Sequence, residues 1–483
     1  MKGLAGKWFG TGCLWIALVA SSAAKAVKVD SLAALAEAAA RNERQIEMVP
    51  GVYRMADYLT DEVLKGVRDE VGPIKGRPPV PMFVFRGDKN RIDLRGVTIE
   101  IDTTLYTKLP QGGYTRCLIV AGAGNTIDGL TIRNTGPNRG SGGNILSVQG
   151  DDNTLENVTL HVFGSQPWGY GDLLGKGGPN LVALEKQSGV QVIGSRSLLR
   201  HCRVFSRAFG HCFYIQGGEG SRLEDCYAEA SVRSTTDMLA DTAGPAFKLG
   251  FRSVYKNRDG RFIITPGYTK SLSEDGFRTY GNAGSVTLLN CTAINTRAGF
   301  EIGVRDDSET KTVVENCVAR GCERGFLIGS QTIVRRSRGD VAHGPLLYLR
   351  GGHSSEVELE LIGDPPRSLV HVLATIAGEG HKVRLSAQRG FGKLPALPIL
   401  VGFGMPMHAE MASEPLPAPA LDIDFESSID FAPVIVGDEI AGSTIKTSGR
   451  RVADADLRKD PGPWGLPSDG IAPGGSGKDS APR

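Results

Sequence analysis

One degenerate motif returns along most of this chain and limits what the chain can fold into. Asn125–Ile132 is echoed by Asn153–Leu160, and then by the shorter runs Leu199–Cys202, Leu223–Cys226, Leu288–Cys291, Val314–Cys317 and Val334–Ser337. Aligning Leu130, Val158, Cys202, Cys226, Cys291, Cys317 and Ser337 gives steps of 28, 44, 24, 65, 26 and 20 residues. Most read as one, two or three multiples of about 22, the low end of the repeat lengths that mark stacked solenoids. Within each copy an apolar β-former precedes a polar turn residue, a small or apolar residue follows, and alternation resumes. That is a strand, a tight turn and a second strand.

Repeats of this length, with no helical period and no leucine-rich consensus, predict an all-β chain wound as a right-handed parallel β-helix, each coil stacked on the last around one shared core. The rung pattern from Leu94 to Gly449 resembles the pectin-lyase-like superfamily, whose members include secreted polysaccharide-active β-helix proteins. The resemblance implies an architecture, and architecture alone does not assign an activity. No phosphate-binding glycine loop occurs, and the Gly-rich Trp168–Pro179 is followed by no helical pattern.

Met1 to Ala26 reads as a secretory signal: Lys2 and Lys7 at the start, an apolar Cys13–Ala20, and Ala24-Lys25-Ala26 as a small-x-small cleavage site. A secreted or periplasmic protein is therefore expected, with no membrane span, because no later apolar run approaches the ~20 residues needed to cross a bilayer. The remaining chain would carry 52 Lys plus Arg against 53 Asp plus Glu, which removes the usual electrostatic footprint of nucleic-acid binding. Seven cysteines remain, an odd number, and Cys202, Cys226, Cys291 and Cys317 share one phase of the repeat. A ladder of buried free thiols accounts for that phase better than a disulfide framework.

Four segments follow: the signal at 1–26, an N-terminal cap and lead-in at 27–90, the β-helix at 91–449, and a Pro-, Gly- and Ser-rich tail at 450–483 expected to lack a packed core. Ser31–Arg41 predicts a helix capped by Asp30 or Ser31, followed by a strand and turn over Ile46–Tyr53. Such a helix suits the open end of a solenoid, whose terminal rung otherwise exposes unpaired backbone groups.

The interval from Cys226 to Cys291 spans about three rungs at this period and is the natural place for function, since loops interrupting a rigid scaffold carry it. From Ala246 to Gly281 seven cations face three carboxylates, an excess of four in a near-neutral chain. That excess points to an anionic partner, and in an exported protein to an acidic polysaccharide. Phe213, Phe247, Phe277, Phe300 and Phe326 fit one inward position. Strand alternation then sends Tyr214, Lys248, Arg278, Glu301 and Leu327 outward in a single column.

Cleavage of a uronate polymer by β-elimination needs a cation on the carboxylate, a base for the C5 proton and an acid for the leaving oxygen. Arg278 suits the first role, Lys248 the second, and Tyr214 or His211 the third. Against this stand a surface ladder with Glu301 for the two cations and a plain turn histidine for His211. Carboxylates including Asp275 and Glu301 would instead serve hydrolysis or glycosyl transfer by an acidic pair. A noncatalytic polysaccharide-binding adhesin is the third reading. Trp168 and Tyr170 are candidate walls of a sugar groove, and Lys256, Arg258, Arg261 and Lys270 candidate contacts to an anionic chain. No cofactor is required. Asp306, Asp307 and Glu309 offer oxygen ligands for Ca²⁺, against the plainer reading of a polar loop.

Overall fold

The computed structural model describes residues 26–71, 78–110, 114–176, 180–257, 260–303, 310–363, 367, 372–388, 397–404, 414–449 and 451–453. The proposed signal, the Ca²⁺ candidates Asp306, Asp307 and Glu309, and residues 454–483 of the proposed tail lie outside them. Among the described residues no helix is long and apolar enough to cross a membrane.

The motif copies stack in register. Through Val318–Arg320 each full coil lays down one strand on each of three parallel stacks; from Thr332–Gly339 onward one longer strand serves the first two, and successive coils pair strand to strand. The first stack includes Thr154–Glu156, Leu198–Arg200, Ser221–Glu224 and Val286–Leu289. The second includes Thr159–Phe163, Arg203–Arg207, Tyr227–Glu229 and Thr292–Ile294. The third includes Gly143–Val148, Gln187–Val192, Phe213–Ile215, Phe277–Thr279, Ala298–Ile302 and Arg324–Ile328. This is a right-handed parallel β-helix, the hand that parallel crossovers adopt almost without exception.

The bend between first and second stacks explains the polar turn residue of the motif. Gly129, Asn157, His201, Asp225, Asn290, Asn316 and Arg336 occupy it, all with positive φ. Asn and Asp tolerate that region because their short polar side chains bond locally. Asn316 donates its side-chain amide to Asn290, which donates to Asp225. The next position turns inward and holds the cysteines. Cys202, Cys226, Cys291 and Cys317 point their thiols at main-chain carbonyls of the preceding coil, 3.4–3.7 Å away. All seven described cysteines are buried and free.

Behind the third stack, Phe213, Phe277, Phe300 and Phe326 stack nearly parallel, with centroids 5.0–5.1 Å apart. Rung spacing imposes that separation, and each buried ring contributes roughly 1.5–3 kcal/mol of burial.

Two long intervals are not what their length predicted. The Cys226 coil pairs directly with the Cys291 coil, Arg222 opposite Thr287 and Tyr227 opposite Thr292. The 65-residue step is therefore one coil carrying an excursion over residues 230–276, not three rungs. The 44-residue step is likewise one coil with an excursion over 164–186. Both leave between the second and third stacks, and they pack on each other through Tyr170, Leu173, Leu174, Met238, Ala246, Ile264 and Leu272.

The N-terminal helix is Leu32–Ala39, capped by Ser31, whose hydroxyl accepts from the Ala34 amide. It buries Leu32, Leu35 and Ala39 against the end of the core. Coiling starts earlier than expected: Gln45–Met48 and Gly51–Arg54 already pair with Arg91–Asp93 and Val97–Asp102. Pro79–Phe85 is the terminal strand of the third stack, the edge position where prolines cost no ladder bonds. At the far end Arg451–Ala453 still pairs with Val434–Val436, just past the boundary read from composition.

Candidate active site

The outer face of the third stack carries the column that alternation predicts. Gln191, Tyr214, Arg278, Glu301 and Leu327 lie opposite one another on successive coils. Lys248 does not belong to it. It ends a short helix, Pro245–Lys248, in the 230–276 excursion, and Phe247 is exposed rather than in the phenylalanine stack. The error follows from treating the excursion as rungs.

At the corner where the chain enters the third stack, charges are buried together. Gly210 lies flush on the preceding coil, where a Cβ would meet the Gln187 carbonyl at 2.3 Å, and this sets His211 against the excursion. Asp275 is fully buried. Arg297 holds both its oxygens at 3.2 and 3.1 Å, Arg278 approaches at 3.0 Å and His211 Nδ1 at 3.2 Å. Burial would raise the Asp275 pKa, but Arg297, His211 and Arg278 outweigh it and keep the carboxyl well below the usual range. Burial opposes ionisation of Glu274 in the same way, and His211, Lys186 and Arg297 hold it at about 2. Burial and then Asp275 push Glu301 the other way, above its ordinary value, against Arg278 and Arg297.

Three roles drawn from sequence change accordingly. Arg278 meets Asp275 and Glu301 through Nη1, the latter at 2.5 Å, so its charge is balanced by these carboxylates, and it is not among the residues that line the cavity of the third stack. Asp275 is sealed from solvent and cannot touch a sugar; it orients His211. Glu301 sits under the same guanidinium, beside Asp275, and the two make no open acidic pair for hydrolysis.

His211 nonetheless reaches the surface chemistry. Nδ1 is 3.2 Å from the Asp275 carboxylate and 3.4 Å from the Asp275 amide; the carboxylate is nearer and charged, so Nδ1 is assigned the proton. Nε2 then accepts from the Tyr280 hydroxyl at 2.9 Å, with Glu274 at 3.4 Å. Burial pushes the Tyr280 phenol up to about 12, so it stays protonated at neutral pH. Carboxylate, imidazole and phenol form one chain of hydrogen bonds, the arrangement that orients a base and lets it exchange a proton.

Tyr280 and His211 border a cavity of about 470 Å³ on the outer third stack, which Arg116, Asn144, Lys186, Gln191 and Tyr214 also line. The Tyr214 hydroxyl accepts from the Asn144 amide at 2.9 Å. Lys186 is committed to Glu274 at 2.9 Å. Arg116 differs: among the described residues no carboxylate pairs with it. Burial lowers its pKa and the Tyr214 phenol offsets part of that, but a guanidinium keeps its charge at neutral pH. A second hollow of about 430 Å³ on the first stack is lined by Arg335, Glu358, Lys382, Arg384 and Asp424, charges of both signs that compensate one another.

The remaining candidates serve the excursion. Tyr170 is buried in its small core and bonds Asp241 at 3.0 Å, while Trp168 packs partly buried on the same cluster. Neither presents a free ring to a sugar. Lys270 is 2 % exposed, clamped between Glu323 and Asp172, and cannot contact a polymer. Lys256 lies exposed over the Phe262 ring and Arg261 is exposed nearby, neither of them a lining residue of the cavity. Arg258 lies outside the described residues.

Tyr280 and Arg116 were missed from sequence. Tyr280 stands two residues after Arg278, so alternation alone would have sent it outward with Arg278. Arg116 belongs to Tyr114–Val120, a coil that precedes the first full motif copy and offers no such cue. Among the described residues no group of three His, Cys, Asp or Glu is placed to hold a metal ion.

No protein-family model and no curated protein matches this chain. Among solved structures it is similar to a rhamnogalacturonan lyase at 12% identity and a TM-score of 0.40, covering 67% of this chain and 76% of the other. It is similar to the catalytic domain of a GH87 alpha-1,3-glucanase in complex with nigerose at 12% identity and a TM-score of 0.40, covering 89% and 67%. A mannuronic acid specific polysaccharide family 6 lyase from human gut microbiota gives 7% identity and a TM-score of 0.40, covering 90% and 93%. Likeness at this level transfers no residue's role.

Proposed function

We propose that this chain is an exported polysaccharide lyase that cleaves an acidic, uronate-containing polymer by β-elimination in the cavity of the third stack. One observation carries the reading: Arg116, a cation with no acidic partner among the described residues, shares the cavity with a hydrogen-bonded phenol and imidazole, Tyr280 and His211. Arg116 faces the uronate carboxylate and withdraws charge from C5. The C5 proton passes to the Tyr280 oxygen as the phenolic proton moves to His211 Nε2. The C5–H electron pair becomes the C4–C5 double bond, and the C4–O4 bond breaks. O4 then takes its proton from Tyr280, which recovers one from His211, so the C5 proton ends on O4 and the enzyme is unchanged. Asp275 holds the imidazole throughout and stabilises its transient cation.

The test is product analysis on a panel of uronate and neutral polysaccharides. New chain ends carrying an unsaturated uronate, in equal number to new reducing ends, are expected from an acidic polymer. Reducing ends without unsaturation would replace elimination by hydrolysis. Retention on the polymer with no new ends of either kind would replace it by binding alone.

A further inference from the structure

The outer face of the second stack lies around the corner from the cavity and is unlike the rest of the surface. Its side chains stand in two outward columns fixed by the strand register. Arg203, Tyr227, Thr292, Val318 and Arg338 form one. His161, Phe205, Glu229, Ile294 and Arg320 form the other.

The aromatic members are half-buried and already ordered against each other. His161 and Phe205 stack at 5.2 Å with planes 12° apart, and Tyr227 leans on Phe205 at 5.7 Å. Arg203, Arg207 and Arg320 are exposed, and none meets a carboxylate among the described residues. By contrast the first stack neutralises its arginines: Arg200 with Glu156 and Glu224, Arg335 with Glu315, Arg384 with Asp424. Carboxylates do lie on the second-stack face, among them Glu229, Glu100 and Glu360, the last opposite Arg338 in the strand register. Glu229 is bonded to the Tyr227 hydroxyl at 2.5 Å, and Glu100 faces Arg133 at 4.0 Å. Three cations, Arg203, Arg207 and Arg320, remain without an ion pair among the described residues, spread with the rings over five coils, or about 19 Å at the usual strand spacing.

We infer that this strip is a second, noncatalytic binding site for the anionic polysaccharide, its ring edges giving apolar contact to the sugars and its arginines meeting carboxylates. The inference rests on the reading of the substrate as an acidic polymer, and charge complementarity selects that occupant. A neutral chain would leave the three guanidinium groups unused, whereas the carboxylates of an acidic chain match planar, always-charged donors. The strip would hold a long chain on the coil between cuts, raising the local concentration of cleavable bonds.

The experiment uses the full chain in native gels containing a dissolved polyuronate. Wild-type protein is expected to be retarded, and a triple variant Arg203→Gln, Phe205→Ala, Arg320→Gln to bind at least about tenfold more weakly, with unchanged turnover of a short oligouronide. Equal retardation of variant and wild type overturns the strip, as does equal retardation in a neutral polysaccharide or no retardation of wild type at all. Retardation lost in the variant, but with no unsaturated product from either protein, supports the strip and removes the lyase reading instead.

Discussion

Replacing Tyr280 with Phe is expected to lower turnover of an acidic polysaccharide by about 10²–10⁴-fold, with KM and thermal stability little changed. In the proposed elimination the phenol handles the proton at both ends, and its hydroxyl bonds His211 at 2.9 Å. Removing one oxygen leaves the ring over Arg278, whose guanidinium carbon lies 4.5 Å from the ring centroid, so packing survives. The proposed carboxylate contact of Arg116 is untouched, which is why the loss falls on kcat. The measurement is steady-state kinetics of wild type and variant on one polyuronate. A variant with more than a tenth of wild-type turnover would take the phenol out of the chemistry.

Lys270→Ala is expected to cost about 3–5 kcal/mol of stability, because removing the ammonium of a buried ion cluster leaves the Glu323 and Asp172 carboxylates short of a countercharge away from water. Lys270, Asp172 and Glu323 are 2 %, 1 % and 4 % exposed. The ammonium bonds Glu323 and lies 3.3 Å from Asp172, and Glu323 also accepts from the Ser271 amide at 2.6 Å. This is the clamp that fastens the excursion to the coil four residues before Glu274 and Asp275. Its loss should therefore loosen the seat of His211 as well as lower the denaturation midpoint. Urea unfolding of wild type and variant followed by tryptophan fluorescence checks it, and a shift worth less than about 1 kcal/mol would mean that the cluster is open to water.

The contrast between these two residues shows what was legible in the sequence. The coil was legible because its determinants are local and repeated: a β-former, an αL-tolerant Asn or Asp, then a small buried residue, copied at Cys202, Cys226, Cys291 and Cys317. The outward column Tyr214, Arg278, Glu301 followed from alternation once Phe213, Phe277 and Phe300 were aligned. What spacing could not reveal was that 65 residues held one coil and not three. An excursion has no period, so Lys248 was assigned a rung it does not occupy, and Lys270 passed for a surface cation when it closes a buried cluster. Nor could spacing tell a paired arginine from an unpaired one. Arg278 and Arg116 differ only in whether a carboxylate stands beside them, and that depends on Asp275 arriving from 64 residues beyond His211 in sequence.

The proposed elimination thus turns on charge pairing: Arg278 is already balanced by Asp275 and Glu301, and Arg116 is the cation proposed for the substrate carboxylate. The most direct test is the initial rate of unsaturated-end formation on a polyuronate by wild type, Arg116→Ala and Arg116→Lys, with melting temperatures recorded alongside. Arg116→Ala should lose about 10²–10³-fold in kcat/KM without a fall in melting temperature, since no carboxylate among the described residues depends on it, and Lys should restore only part of the rate. Unchanged kinetics in Arg116→Ala would contradict the account and return the search for the substrate's cation to another part of the coil.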